Sequence, residues 1–312
     1  MDNRMNKKRM KIQLFCVFMV TLSIILACGH YLGSNNKKSE QMKVRYTARM
    51  TVSRIESRLD KYLERADFIK NIIEEKYDFD DKKFSQTAAL LYDKKDVIEA
   101  IELAKDGIVG NIYPLKGNEP AMGLNMLTNP KRKKEAKIAE KTGQYTIAGP
   151  YELKQGGIGA LLFDPVYISE NGEKKFWGFV ILVIDWDKFI DEINLSNLED
   201  AGYDYQIWKK NLSEGTEVTI AEGNSKNIKS PLEVVCAVPN DTWYFEIAPK
   251  AGWITKMQLF IGTLVAVSVL IIVYSAFWQY FVRRYKDAVY AENIKKAAKE
   301  AQIANETKTR FL

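Results

Sequence analysis

Two stretches of this chain, Ile12 to Leu32 and Leu259 to Val282, contain no Asp, Glu, Lys or Arg. A bilayer core of ~30 Å needs about 20 apolar residues of helix to cross it. Both stretches are long enough, and a chain with two such segments is expected to fold around a membrane. Arg4, Lys7, Lys8, Arg9 and Lys11 precede the first, and Arg283, Arg284 and Lys286 follow the second. Basic flanks favour the cytoplasmic side, so both termini are expected there, in the plasma (inner) membrane of a two-pass protein. The segment from Gly33 to Lys256 is then extracytoplasmic. Tyr274, Trp278 and Tyr280 lie near the end of the second stretch, where amphipathic rings favour the interface. "IILACG" (Ile24 to Gly29) also reads as a lipoprotein cleavage site before Cys28. The length of the apolar run favours an uncleaved span.

The formal net charge is +6. No basic stripe with interleaved aromatics accompanies it, which argues against a nucleic-acid partner. Cys16 and Cys28 fall in the first span and Cys236 stands alone outside it, so the outer segment is expected to be held by its core and not by a disulfide. The only histidine, His30, lies at the outer end of the first span. No His-based triad or multi-histidine metal site is available to the outer segment. Neither a metal nor a cofactor is expected. Asp185 and Asp187 are two apart at a strand end, where a helix cap is the expected role. "QGGIGA" lies at a strand entry, not between strand and helix, so its glycines are expected to serve tight turns. No catalytic residues are assigned.

Val52, Ile55, Leu59, Leu63, Ala66, Ile69 and Ile73 recur three or four apart, the period of a helix with one buried face. A polar bridge, "GSNNKKSEQ", precedes them. The spacing predicts a stalk helix from about Ser39 to Tyr77, ~55 Å long at 1.5 Å per residue. "DKKFSQTAALLYDKKDVIEAIELAK" reads as two short helices. "DGIVGNIYP" reads as a strand, "LKGNEPAMGLNMLTNP" as a loop with a helical turn, and "PKRKKEAKIAEKTG" as a helix with Pro130 early and Gly143 just past its end. "QYTIAGP", "GIGALLFDPVYI" and "KKFWGFVILVID" are three strands, the last two joined by an Asn-Gly turn, and "WDKFIDEINL" is a short helix. "YDYQIWK", "TEVTIAE", "LEVVCAVP" and "DTWYFEIAP" form a second strand cluster. The fold class is α+β: a long stalk helix with two PAS-like antiparallel-sheet lobes, flanked by two transmembrane helices. The expected divisions are 1–11 cytoplasmic, 12–32 first span, 33–80 stalk, 81–195 membrane-distal lobe, 196–256 membrane-proximal lobe, 257–282 second span and 283–312 cytoplasmic signalling helix. A pocket in such a lobe would be mainly apolar, with Tyr113, Tyr145, Phe163 and Trp177 as candidate walls.

The run "IYPLKGNEPAMGLNMLTNPKRKKEAKIAEKTGQYTIAGPYELKQGGIGALLFDPVY", followed by "FWGFVILVIDWDKFI", resembles the CHASE domain. Its landmarks are Tyr113-Pro114-Leu115, Gly117-Asn118-Glu119, Thr142-Gly143, Gly149-Pro150, Pro165-Val166-Tyr167 and Trp177-Gly178. The likeness covers about Leu90 to Trp253. It implies an extracytoplasmic sensory domain of a receptor kinase or related signalling protein, with a small-molecule ligand in the membrane-distal lobe. In the plant members a carboxylate holds the purine of a cytokinin. Asn125 stands at the position that resembles it, which implies weak binding of a cytokinin-type purine and a different ligand here. Ile147 and Ala148 fall on the strand that lines the family's pocket. Asn125, Ile147 and Ala148 from the resemblance, with Tyr113, Tyr145 and Phe163 from the candidate walls, make up the expected ligand site.

Ile294, Ala298, Ala301 and Asn305 follow a heptad-like seam, which predicts a homodimeric coiled coil. "ANETKTRFL" resembles the segment that precedes the phospho-accepting histidine of sensor histidine kinases. That implies a cytoplasmic kinase output domain and a response regulator as further partners, the chain itself being only the input half. A cyclic-dinucleotide cyclase output and a stand-alone membrane-anchored binding protein are the alternatives.

Overall fold

The computed structural model describes residues 2–75, 79–211, 216–225 and 227–310. It contains six α-helices and nine strands among those residues, and its contacts divide it into two compact units.

The first unit comprises Met1–Glu40 and Trp253–Leu312. It is helical. α1 (Asp2–Glu75) enters it through its N-terminal half, and α6 (Lys256–Arg310) makes up most of the rest. Ile12, Phe15, Leu26, Leu259, Val265 and Ile271 are all exposed. Apolar side chains in such number normally leave water, and a hydrocarbon surround satisfies them. The helices are long and apolar enough to cross a membrane.

The second unit is Gln41–Gly252. The C-terminal part of α1 is its spine. Val52, Ile55, Leu59, Leu63, Ala66, Ile69 and Ile73 are all buried, as their spacing predicts, and Tyr62 joins the same face. Each such aliphatic side chain contributes about 1.5–3 kcal/mol when fully removed from water. The expected polar bridge before the stalk is helical, because α1 runs through it without interruption. Nothing in "GSNNKKSEQ" forbids this, and its only glycine meets no close neighbour. Residues 76–78, which the expected stalk includes, lie outside the described residues.

α2 (Asp81–Leu91) starts at Asp80, whose carboxylate accepts from the Lys83 N–H at 2.8 Å. The first sheet then assembles from β1 (Ile98–Lys105), β2 (Ile108–Tyr113), β3 (Thr146–Glu152), β4 (Ile158–Glu170) and β5 (Glu173–Asp185). Its order is β2-β1-β5-β4-β3, antiparallel throughout. The second of the two short helices expected in 81–105 is thus a strand, β1. Glu99, Glu102 and Lys105 are three apart and imitate the polar stripe of a helix. The packing that wins is two-sided burial between β2 and β5, which leaves only Lys105 of the strand exposed.

Between β2 and β3 lie a 3-10 turn (Glu119–Ala121) and α3 (Lys133–Thr142). Gly143 closes α3 with φ +69° and donates its N–H to the Ala139 carbonyl at 2.9 Å. A Cβ in that left-handed conformation costs about 1–2 kcal/mol. Gly143→Ala is therefore expected to lower the melting temperature by a few degrees in a thermal melt followed by tryptophan fluorescence. Asn171 (φ +53°) and Gly172 (φ +87°) make the expected β4–β5 hairpin turn. Gly178 admits close strand approach: a Cβ there would lie 2.2 Å from the Ala104 carbonyl oxygen.

α4 (Trp186–Glu192) is capped by Asp185, whose Oδ1 accepts from the Lys188 N–H at 3.1 Å, as its position predicts. After α5 (Ser196–Asp200) the second sheet follows: β6 (Tyr203–Lys210), β7 (Glu217–Glu222), β8 (Leu232–Val238) and β9 (Asp241–Pro249), in the order β7-β6-β9-β8. Its core row includes Trp243, Phe245 and Ile247, and Trp243 meets Trp186 edge-on at 6.0 Å. Arg54, Arg58 and Tyr62 of α1 reach Ile193 and Glu192 at the end of α4. Cys236 is buried and unpaired, as the cysteine count predicts.

Candidate functional site

The first sheet has two faces with different chemistry, and register assigns every side chain to one of them. Ile112, Glu102, Ile181, Phe163 and Thr146 lie opposite one another across the five strands. Ala100, Val183, Leu161 and Ala148 form the next row on the same face. Successive strand residues alternate sides, so Ile101, Leu182, Leu162 and Ile147 form a row on the opposite face, and Leu103, Val180 and Asp164 another.

The opposite face meets α1. Asp164 is fully buried and pairs with Lys70 of α1 at 2.8 Å. Burial pushes the Asp164 carboxyl up, and Lys70 opposes that rise. Lys70 also sits 5.5 Å from the centre of the Tyr145 ring. One turn on, Glu74 accepts from the Tyr167 N–H at 3.1 Å.

The other face packs with α3 and the loop before it. Its core is rich in small side chains: Ala100 and Ala104 on β1, Ala121, Ala136 and Ala139 on the α3 side, and Ala148 on β3. Amid them sits Glu102, 1% exposed, with its Oε2 unpartnered. Burial raises its carboxyl to about 7, Arg132 opposes the rise and Glu99 adds to it. Arg132, the N-cap residue of α3, is 5% exposed and its Nε has no hydrogen-bond partner. Its guanidinium lies 5.4 Å from the centre of the Tyr151 ring, and the Tyr151 hydroxyl is buried and also unpartnered. Three polar side chains from β1, α3 and β3 thus share one face, each with a buried nitrogen or oxygen that lacks a partner, and Arg132 lies close enough to Tyr151 to favour its ionised form.

Of the residues expected at a site, Phe163 and Ala148 belong to the Glu102 face. Phe163 meets Phe179 edge-on at 5.4 Å. Tyr113 and Ile147 belong to rows of the opposite face, and Tyr145, just before β3, lies beside Lys70 of α1. Tyr113 packs against Tyr92 at 5.7 Å. Asn125 is half-buried and its Oδ1 accepts from the backbone N–H groups of Leu127 and Thr128 at 2.9 and 3.1 Å, which commits that oxygen to the turn. Trp177, the other candidate wall, is half-buried, and its carbonyl accepts from the Asp106 N–H. Glu102, Arg132 and Tyr151 were not legible as a group. Glu102 lies in the segment that reads as helix, and the other two lie 30 and 49 residues further on (132 − 102 and 151 − 102).

Two surface clefts lie between the lobes of the second unit. One of about 400 Å³ is lined by Glu56, Asp60, Tyr145 and Asn240 among others. One of about 280 Å³ is lined by Lys131, Lys134, Ile147, Lys210 and Tyr151. The smaller touches the buried cluster through Tyr151. The larger does not. Among the described residues no group of His, Cys, Asp and Glu could hold a metal ion.

Several solved structures share this fold at low sequence identity. An extracellular ligand-binding receptor from Desulfohalobium retbaense superposes with a TM-score of 0.50 at 12% identity, over 64% of this chain and 39% of that one. This chain therefore spans well under half of that receptor. The ligand-binding domain of the Pseudomonas aeruginosa amino-acid chemoreceptor PctC, in complex with GABA, gives 0.46 at 15% identity over 67% and 98%. The extracellular domain of a proposed histidine kinase, vpHK1S-Z8, gives 0.41 at 12% identity over 69% and 92%. No curated protein matches the sequence. The CHASE domain matches residues 61–219, just over half of the chain, running from α1 through the whole first sheet into β7. The chain belongs to the CHASE domain family.

Proposed function

We propose that this chain is the sensory input of a transmembrane receptor, which binds a small molecule outside the cell and passes the signal inward. The observation that carries the reading is the placement of the CHASE domain. It is inserted between two helices with exposed apolar surfaces, and the first of them continues unbroken into the domain's core. The ligand binds on the Glu102 face of the first lobe, which is the membrane-distal one, and the second lobe is membrane-proximal. Binding favours one of two lobe geometries, and its differential affinity shifts the equilibrium between them. α1 and α6 carry that shift through the bilayer to a homodimeric coiled coil containing Ile294, Ala298, Ala301 and Asn305. The output is a histidine kinase acting on a response regulator, a reading supported by the likeness of "ANETKTRFL" to the segment before a phospho-accepting histidine.

Orientation is tested in intact cells with a membrane-impermeant maleimide, in a Cys16→Ser/Cys28→Ser background. Ser57→Cys is exposed on α1 and should label, whereas Ala291→Cys on α6 should label only after lysis. The reverse pattern overturns the reading. Sensing is tested by thermal melts of the full chain in nanodiscs against a metabolite panel, since binding to the native state raises the melting temperature.

A further inference from the structure

Glu102, Arg132 and Tyr151 have the composition of a buried ion pair without its geometry. A structural carboxylate–guanidinium pair closes to direct hydrogen bonds, because each charge left unpaired away from water costs several kcal/mol. Here the Glu102 Oε2, the Arg132 Nε and the Tyr151 hydroxyl are each buried with no partner. Among the described residues no ion pair joins Glu102 to Arg132. The two come from different elements, β1 and the start of α3, so each is positioned independently. Arg132 is fixed over the Tyr151 ring, and Ala100 and Ala104 flank Glu102 along its strand. These small neighbours bring no polar atom to the carboxylate.

A guanidinium is always charged and only donates, whereas a carboxylate accepts. A molecule that also neutralises both charges carries a donor cation at one end and an acceptor anion at the other. We infer that Glu102, Arg132 and Tyr151 are the specificity-determining residues of the site and that its ligand is a small zwitterion. The cationic nitrogen of the ligand donates to Glu102, its anionic group accepts from Arg132, and the Tyr151 hydroxyl donates to the same anionic group. The alanines around the cluster set a small body between the two charges. This inference rests on the reading of that face as the ligand site.

The test uses the full chain in nanodiscs at pH 7.5, with thermal melts and calorimetry. The probes are the standard L-amino acids, each hit being compared with its carboxamide and its N-acetyl derivative. At least one zwitterion should raise the melting temperature. Removing either of its charges should weaken binding by about 100-fold, the usual scale for a lost buried charge partner. Glu102→Gln and Arg132→Gln should each cause a similar loss. Arg132→Lys, which keeps the charge, should recover part of it and control for folding. No response to any zwitterion overturns the inference. So does a hit whose singly charged derivative binds equally well, or whose affinity survives both substitutions. A neutral or singly charged metabolite from the wider panel that binds would leave the sensor reading standing while the zwitterion falls. Reversed maleimide labelling would remove the sensor reading itself.

Discussion

Replacing Lys70 with Met will destabilise the protein by about 3–5 kcal/mol, the cost of leaving a buried carboxylate without its counter-charge. Asp164 has no exposure through which water could replace the lost ammonium. Asp67 and Glu74 on α1 add negative potential to the same place. A domain of this size loses about 2–4 °C of melting temperature per kcal/mol, so the midpoint should fall by roughly 10 °C. Tryptophan fluorescence of the chain in nanodiscs would report it, since Trp186 and Trp243 lie in the core. The companion Lys70→Met/Asp164→Leu should recover most of the loss, because replacing both members of a buried pair by apolar groups is often neutral or better. A single variant as stable as the wild type would show that the pair carries no such burden.

Glu102→Gln should do the opposite and stabilise the ligand-free protein at alkaline pH. Burial raises the Glu102 carboxyl from 4.5 to about 7. The folded state then binds more protons than the unfolded state between those values, so stability falls as pH rises through that window. Above pH 7 the penalty is complete, at about 3 kcal/mol for a shift of this size. The amide removes it. Wild type and variant should therefore have similar stability near pH 4.5 and diverge by up to that amount at pH 8, read from denaturant midpoints at each pH. Asp164 gives both proteins a slope of the same sign, so the difference between them isolates Glu102. A more stable protein that no longer answers to its ligand is the pattern expected of a residue kept for binding.

The stalk was legible because its period was strong. Seven apolar residues repeat three or four apart, and every one of them is buried. Turn chemistry was equally direct at Asn171-Gly172, and capping at Asp185 and Gly143. β1 was not legible. Its Glu, Ala, Leu and Lys residues are good helix formers, its charges fall three apart, and only the strands on either side of it decide its conformation. The site suffered most from this. Aromatic identity marks a residue as able to line a pocket, but says nothing of which side of a strand it takes. Phe163 and Ala148 fall on one side and Tyr113 and Ile147 on the other, while Tyr145 precedes its strand and lies by Lys70. Glu102 was hidden with β1 itself, and the significance of Arg132 and Tyr151 depends on Glu102 being beside them in space.

Phe163 and Asp164 are consecutive residues of β4 that face opposite ways. One lies on the row of Glu102, and the other is bonded to the spine helix through Lys70. A single trans peptide, ~3.8 Å from Cα to Cα and nearly planar, separates them. The Glu102 face and the helix-facing side of the sheet are therefore one residue apart along β4, joined by a near-planar link. On the proposed reading of that face, a ligand that shifts the β4 backbone at Phe163 acts one peptide away from the bond between Asp164 and Lys70 of α1.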